Sequence, residues 1–159
     1  MSPDPAVRMQ PPPKAVLRVV NPLLRRLLLS PLGDRMPPAM AVIEFTGRRS
    51  GRRYAVPVGV HDVPGGPVVF TESPWRRNFA GGGQVTVTRG RDRRRGRGVL
   101  VQDPDAVADA LSIAVDKAGP RNLAMRVTPG HQITRADLVQ LGRNMVRLEL
   151  DSATGPLDR

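Results

Sequence analysis

Between the apolar runs Met40–Phe45 and Tyr54–Val60 lies the octet Thr46-Gly47-Arg48-Arg49-Ser50-Gly51-Arg52-Arg53. Two runs rich in β-branched residues on either side of a glycine-bearing turn read as a β-hairpin. That pairing commits the middle of the chain to antiparallel sheet. It also gathers four arginines, two hydroxyls and two glycines at one tip. Glycine lets backbone N–H groups approach a ligand, and arginine forks grip phosphate or carboxylate in a bidentate manner. Arg48, Arg49, Ser50, Gly51, Arg52 and Arg53 therefore form a candidate anion site. A solvated, charged turn is the other reading, and the residues alone leave both open.

The pattern continues as strand. Met40–Thr46 and Arg53–His61 flank the arginine turn, and Val63-Pro64-Gly65-Gly66 makes a second turn before a strand over Pro67–Glu72. Pro74–Ala80 reads as a short helix or loop and Gly81–Gly83 as a flexible break. In Gln84–Arg89 the residues Val85 and Val87 alternate with Thr86 and Thr88, as in a half-buried strand. Gly90–Gly96 is expected to turn the chain into a fifth strand, Arg97–Gln102, and Met145–Leu150 is the last. A helix is expected to open at Asp103-Pro104-Asp105 and end near Lys117, before Gly119-Pro120. Thr134 and Asp137 are spaced as a capping box with the shorter acid, for a helix to Arg143. Upstream, Lys14–Val20 and Pro22–Ser30 read as one or two helical pieces, the second capped by Asn21 and carrying Leu23, Leu24, Leu27 and Leu28 on one face. Met1–Pro13, rich in proline and polar residues, reads as a disordered tail. Residues 14–159 then form one mainly β (α+β) domain: a small antiparallel barrel of about six strands with an N-terminal helix and peripheral helices.

Composition narrows the function. A net charge of +11 over 159 residues points to an anionic partner. No cysteine is present, which excludes disulfides, zinc–thiolate sites and cysteine nucleophiles and fits a cytoplasmic home. Nothing approaches the roughly 18 consecutive apolar residues of a bilayer span, and no signal-peptide pattern opens the chain. With one Trp, one Tyr and three Phe, the chain lacks the aromatic platforms of a base-stacking nucleic-acid module. His61 and His131 stand far apart and suggest no catalytic pair.

The order of motifs, however, is informative. After the hairpin come Val56-Pro57-Val58, then Thr71-Glu72-Ser73, Trp75-Arg76-Arg77-Asn78-Phe79 and Gly83-Gln84-Val85-Thr86-Val87. From Leu23 to Val101 this order resembles the deazaflavin-dependent nitroreductase and quinone reductase family, within the flavin/deazaflavin oxidoreductases of split β-barrel fold. The resemblance implies coenzyme F420 as cofactor, a deazaflavin with a phosphodiester and an acidic tail, with FMN as second choice. It further implies that Arg48, Arg49 and Ser50 hold the anionic arm and that Pro57 and Val58 lie against the ring. Thr71 and Ser73 would sit near ring and phosphate, and Trp75 and Asn78 beyond them. The chemistry of such a protein belongs to its cofactor, so no acid–base dyad is required.

The chain departs from that pattern in two places. The Thr71–Trp75 segment is short, and Tyr54 stands where a basic residue is common. No tyrosine follows Tyr54, so a tyrosine-lined nitroreductase pocket is not expected. The implied activity is hydride transfer from reduced F420 to a small electrophilic acceptor such as a quinone. Alternatives are a non-catalytic binder of deazaflavin, flavin or tetrapyrrole, and a basic nucleic-acid or membrane-surface protein. Arg89, Arg91, Arg93, Arg94, Arg95 and Arg97 are expected at a hairpin tip, as a solvated turn or an outer contact for the acidic tail. The leucine-rich N-terminal helix is expected to pack on the barrel, join a homodimer or touch an anionic membrane surface.

Overall fold

Alternation of apolar and polar residues produces strands wherever the pattern holds. The computed structural model describes residues 4–10 and 39–152, together with Pro22, Arg26 and Ser30. Pro22 and Arg26 are helical, and the rest of the expected N-terminal helix before Ser30 lies outside the described residues. Among the described residues nine strands are present: β1 (Val7–Met9), β2 (Met40–Thr46), β3 (Arg53–Gly59), β4 (His61–Val63), β5 (Gly66–Phe70), β6 (Gly83–Arg89), β7 (Asp92–Val101), β8 (Met125–Val127) and β9 (Met145–Leu150). Two α-helices, α1 (Pro104–Ala118) and α2 (Arg135–Gln140), and two 3-10 helices, Pro74–Phe79 and Pro120–Leu123, complete the order.

Seven strands form one antiparallel sheet in the order β3-β2-β6-β7-β9-β5-β4. β3 ends at Gly59 and β4 begins at His61, yet these are the two edges of the sheet. Only Val60 lies between them, 2% exposed, with its N–H donating to the Ala39 carbonyl at 2.6 Å. One residue can join both edges only if the sheet is rolled, so the architecture is a split β-barrel. Arg89 of β6 adds a second tie to β4, its guanidinium reaching both oxygens of Asp62 at 3.1 and 3.2 Å.

Inside the roll sit Ala41, Ile43, Phe45, Val58, Val69, Val85, Val87, Val146 and Leu148, with Phe79 inserted from the 3-10 helix. Outside it, α1 covers the β4–β5–β9 side, packing Val107 and Ala110 on Val63, Val68 and Met145. Helix α1 begins as its sequence predicts: the Asp103 carboxylate accepts the Ala106 N–H at 3.0 Å, and Pro104 occupies the first turn. The Thr134–Asp137 capping box also forms, but α2 stops at Gln140, short of Arg143.

Two expectations are corrected. Within the segment read as a disordered tail, Val7–Met9 pairs antiparallel with Met125–Val127. Val7 is buried there with Leu111, Leu123 and Met125, an apolar gain that three-residue strands conceal in sequence. The arginine-rich turn expected over Gly90–Gly96 is instead mostly strand. β7 starts at Asp92, and only Gly90 and Arg91 make the turn.

Candidate functional site

The arginine hairpin forms where it was expected, with Thr46 opposite Arg53 in the β2–β3 register. The turn is closed by the Gly47 N–H on the Arg52 carbonyl (2.7 Å) and the Gly51 N–H on the Gly47 carbonyl (2.9 Å). Ser50 is spent inside it: its Oγ accepts the Arg52 N–H at 3.2 Å and shares a hydrogen bond with Tyr54 Oη at 3.2 Å.

The four arginines then divide. Arg48 turns back onto the protein, its Nη2 donating to the carbonyls of Ala80 (2.6 Å) and Gly82 (3.2 Å). Its backbone N–H donates to Asn78 Oδ1 at 2.8 Å, while Asn78 Nδ2 donates to the Trp75 carbonyl at 2.8 Å. Both ends of the Asn78 amide are therefore occupied in tying the hairpin to the 74–79 helix. Arg49, Arg52 and Arg53 are exposed, and their guanidinium groups make no hydrogen bond or ion pair among the described residues. They are the part of the tip available to an anion.

Below the hairpin lies an aromatic cluster. The Phe45 ring stacks on Tyr54 at 5.5 Å and 22°, and meets Phe79 edge-on at 5.2 Å and Trp75 at 5.9 Å. Trp75 and Phe79 meet at 6.0 Å and 89°. Trp75 is thus an anchor of the 3-10 helix at the barrel mouth, half-buried against the core.

The remaining expected residues are less concentrated. Successive strand residues point to opposite faces, so Pro57 pairs with Val42 on the outer face while Val58, 8% exposed, joins the barrel core. The two do not present one bed to a ring. Thr71 Oγ1 accepts the Ser73 N–H at 3.1 Å, and the Ser73 carbonyl takes N–H bonds from Arg76. This loop is closed by its own hydrogen bonds.

Sequence reading missed a groove on the outer face of β2, β6, β7 and β9. It has a volume of about 990 Å³, with Arg53, Arg93, Arg95 and Arg97 on its walls and Thr46, Gln84 and Thr86 between them. Residues two apart on a strand share a face, which is why Arg93, Arg95 and Arg97 align. The spacing R-x-R-x-R was the available signal, hidden by the expectation of a turn. Arg53 belongs to both features and links the hairpin to the groove.

Internal partners use up much of the second arginine cluster. Arg93 lies 3.3 Å from Glu44, Arg94 lies 2.9 Å from Asp92, and Arg97 donates to the Gly81 carbonyl at 2.8 Å. Arg95 is exposed, and its guanidinium has no such partner among the described residues. Glu149 and Asp151 also line the groove, so its net charge is far lower than its arginine count suggests. No group of three or more metal-ligating side chains exists among the described residues, and no helix among them is long and apolar enough to cross a membrane.

No family model matches the chain, and no curated protein is similar to it in sequence. Among solved structures it is similar to Atu2129, a protein of unknown function from Agrobacterium tumefaciens strain C58. There the identity is 18% and the TM-score 0.49, over 72% of this chain and 49% of that one. The chain thus spans about half the length of that protein. It is similar as well to HutZ, the heme storage protein of Vibrio cholerae (14% identity, TM-score 0.47, 76% of this chain and 87% of that one). A third is the FAD and heme binding protein of Mycobacterium smegmatis (18% identity, TM-score 0.44, 73% and 61%). What this chain binds has to follow from its own side chains.

Proposed function

We propose that this protein binds a planar redox cofactor carrying an anionic arm, F420 first and FMN second, and serves hydride transfer to a small electrophilic acceptor such as a quinone. The observation that carries the reading is the hairpin tip, where Arg49, Arg52 and Arg53 stand exposed without a side-chain partner among the described residues while Arg48 holds the tip in place. Unpartnered guanidinium groups on a braced turn match a phosphate or carboxylate arm, each charge-assisted hydrogen bond contributing roughly 1.5–3 kcal/mol before solvent screening. The adjoining groove of about 990 Å³ lies at the upper end of the roughly 300–1,000 Å³ of small-molecule sites.

The cofactor would supply hydride chemistry at its ring, and the chain's part is to bind and orient it. Arg48 and Asn78, which the family resemblance implies as ligand contacts, act in this reading through the hairpin they hold. Thr71 and Ser73 close their own loop and are left out of the contact set.

Fluorescence titration with F420 and, in parallel, FMN at about physiological ionic strength tests the reading. Saturable micromolar binding of F420 is the expected result, weakened at least about tenfold by the double substitution Arg49→Ala and Arg52→Ala, a change of about 1.4 kcal/mol. Binding of neither cofactor overturns the reading. Turnover of a quinone by the loaded protein separates an enzyme from a binder without chemistry.

A further inference from the structure

We propose that Tyr54 is the stacking platform for the planar part of the ligand, with the anionic part held beside it by Arg49 and Arg52. This deepens the proposed function and rests on its premise of a planar anionic ligand. Tyr54 is the one exposed large hydrophobic side chain among the described residues, at 40%. A parallel partner, Phe45 at 5.5 Å and 22°, backs one face of its ring.

The ring's orientation is fixed on three sides. Its hydroxyl is tied to Ser50 Oγ at 3.2 Å. Gly47 leaves room for it, since a Cβ there would lie 2.7 Å from Tyr54 Cε2 and 2.5 Å from Ser50 Oγ. Phe45 is itself wedged against Trp75 and Phe79. The hairpin is thus shaped around a tyrosine that it does not cover. A tyrosine serving only to fill the hairpin would gain most from having both faces buried. Aromatic faces accept flat π-systems in offset stacks, and truncating such a platform costs roughly 1–3 kcal/mol per stacked ring, about five- to 150-fold. Pro57 and Val58 point to opposite faces of β3, so their side chains offer no common bed, and Tyr54 is the exposed ring beside the arginines.

Tyr54 is the only tyrosine of the chain, so its ring resonances in a proton NMR spectrum are unambiguous. The probes are F420, FMN, 1-naphthyl phosphate as a planar anion without redox chemistry, and inorganic phosphate. The expected result is that the three planar probes shift the Tyr54 ring resonances of the unsubstituted protein. Tyr54→Leu should weaken them about tenfold and leave inorganic phosphate unchanged, while Tyr54→Phe should stay within about threefold. Planar probes that bind without moving the tyrosine resonances, or equally well to Tyr54→Leu, overturn the platform and leave the cofactor reading standing. Binding of 1-naphthyl phosphate at Tyr54 with no binding of F420 or FMN upholds the platform and overturns the cofactor reading. If no planar probe binds, both fall. The resonance shifts are read on the unsubstituted protein, so misfolding of Tyr54→Leu does not blunt the test.

Discussion

The side chain of Asn78 accepts the backbone N–H of Arg48 at 2.8 Å, across 30 residues of chain. The arginine returns the tie by donating its Nη2 to the carbonyls of Ala80 and Gly82, just past the helix that carries Asn78. The hairpin tip and the 74–79 helix are therefore tied together from both sides, and the exposed arginines project from a braced base. An orphaned helix-end carbonyl gains a charged donor in the same stroke.

Asn78→Ala removes that tie without changing any charge. It should cost about 1 kcal/mol in urea unfolding, the usual worth of a partly exposed hydrogen bond, and accelerate hydrogen exchange at the Arg48 amide. F420 binding should weaken while its dependence on salt stays the same, because the number of charges at the ligand is unaltered. Arg49→Ala, by contrast, should flatten the salt dependence. Equal salt slopes for the two variants would contradict the division of labour between them.

Gly96 lines the groove in the middle of β7, where a Cβ would collide with the Glu149 carbonyl oxygen and lie 2.8 Å from Leu150 Cα. Backbone of the neighbouring strand cannot swing aside as a side chain can. Gly96→Ala should therefore destabilise at or beyond the upper end of the ~1–3 kcal/mol typical of overpacking. Gly82→Ala forces only the Arg97 guanidinium to move, although the backbone there has a φ of +94°. A denaturation midpoint for Gly96→Ala within error of the parent would refute the steric argument.

Asp137 accepts hydrogen bonds from His131 Nε2 at 2.8 Å and from the Thr134 N–H and Oγ1 at 2.8 and 2.9 Å. The His131 contact, followed by those from Thr134, lowers its pKa from 3.8 to about 2. A carboxyl whose folded pKa lies below its unfolded one favours the native state above the unfolded value. That contribution is complete above about pH 4 and drains away as pH falls toward 2. His131→Ala should raise the Asp137 pKa toward its ordinary value, as read by carboxyl carbon NMR, and shrink the acid-dependent part of the stability.

His61 titrates with the opposite chemistry but the same direction of stability. Burial lowers its pKa below 6.5, and the nearby Arg143 adds to the effect. The folded state thus prefers the neutral ring, so stability is greatest above the unfolded pKa and falls as pH drops below 6.5. Replacing Arg143 with Met should raise the His61 pKa in an NMR titration; a lowered value would show that another charge governs it.

Local chemistry was legible wherever the interaction is local. The strands β2 and β9, the cap of α1 by Asp103 and the Thr134–Asp137 box follow from alternation and spacing within a few residues. The roll of the sheet followed less directly, from strand count and turn residues. The arginine hairpin was recognisable as a turn, but its four guanidinium groups looked equivalent. Only Asn78 and the carbonyls of Ala80 and Gly82, about 30 residues away, make Arg48 a brace and leave Arg49, Arg52 and Arg53 to solvent. Likewise Arg93, Arg95 and Arg97 read as a charged turn until cross-strand pairing with Thr88, Thr86 and Gln84 put them on one face. Periodicity in sequence determined which residues could share a face. Tertiary structure decided which charged groups met partners there, because ion pairs and hydrogen bonds depend on distances of about 3 Å that only the closed sheet sets.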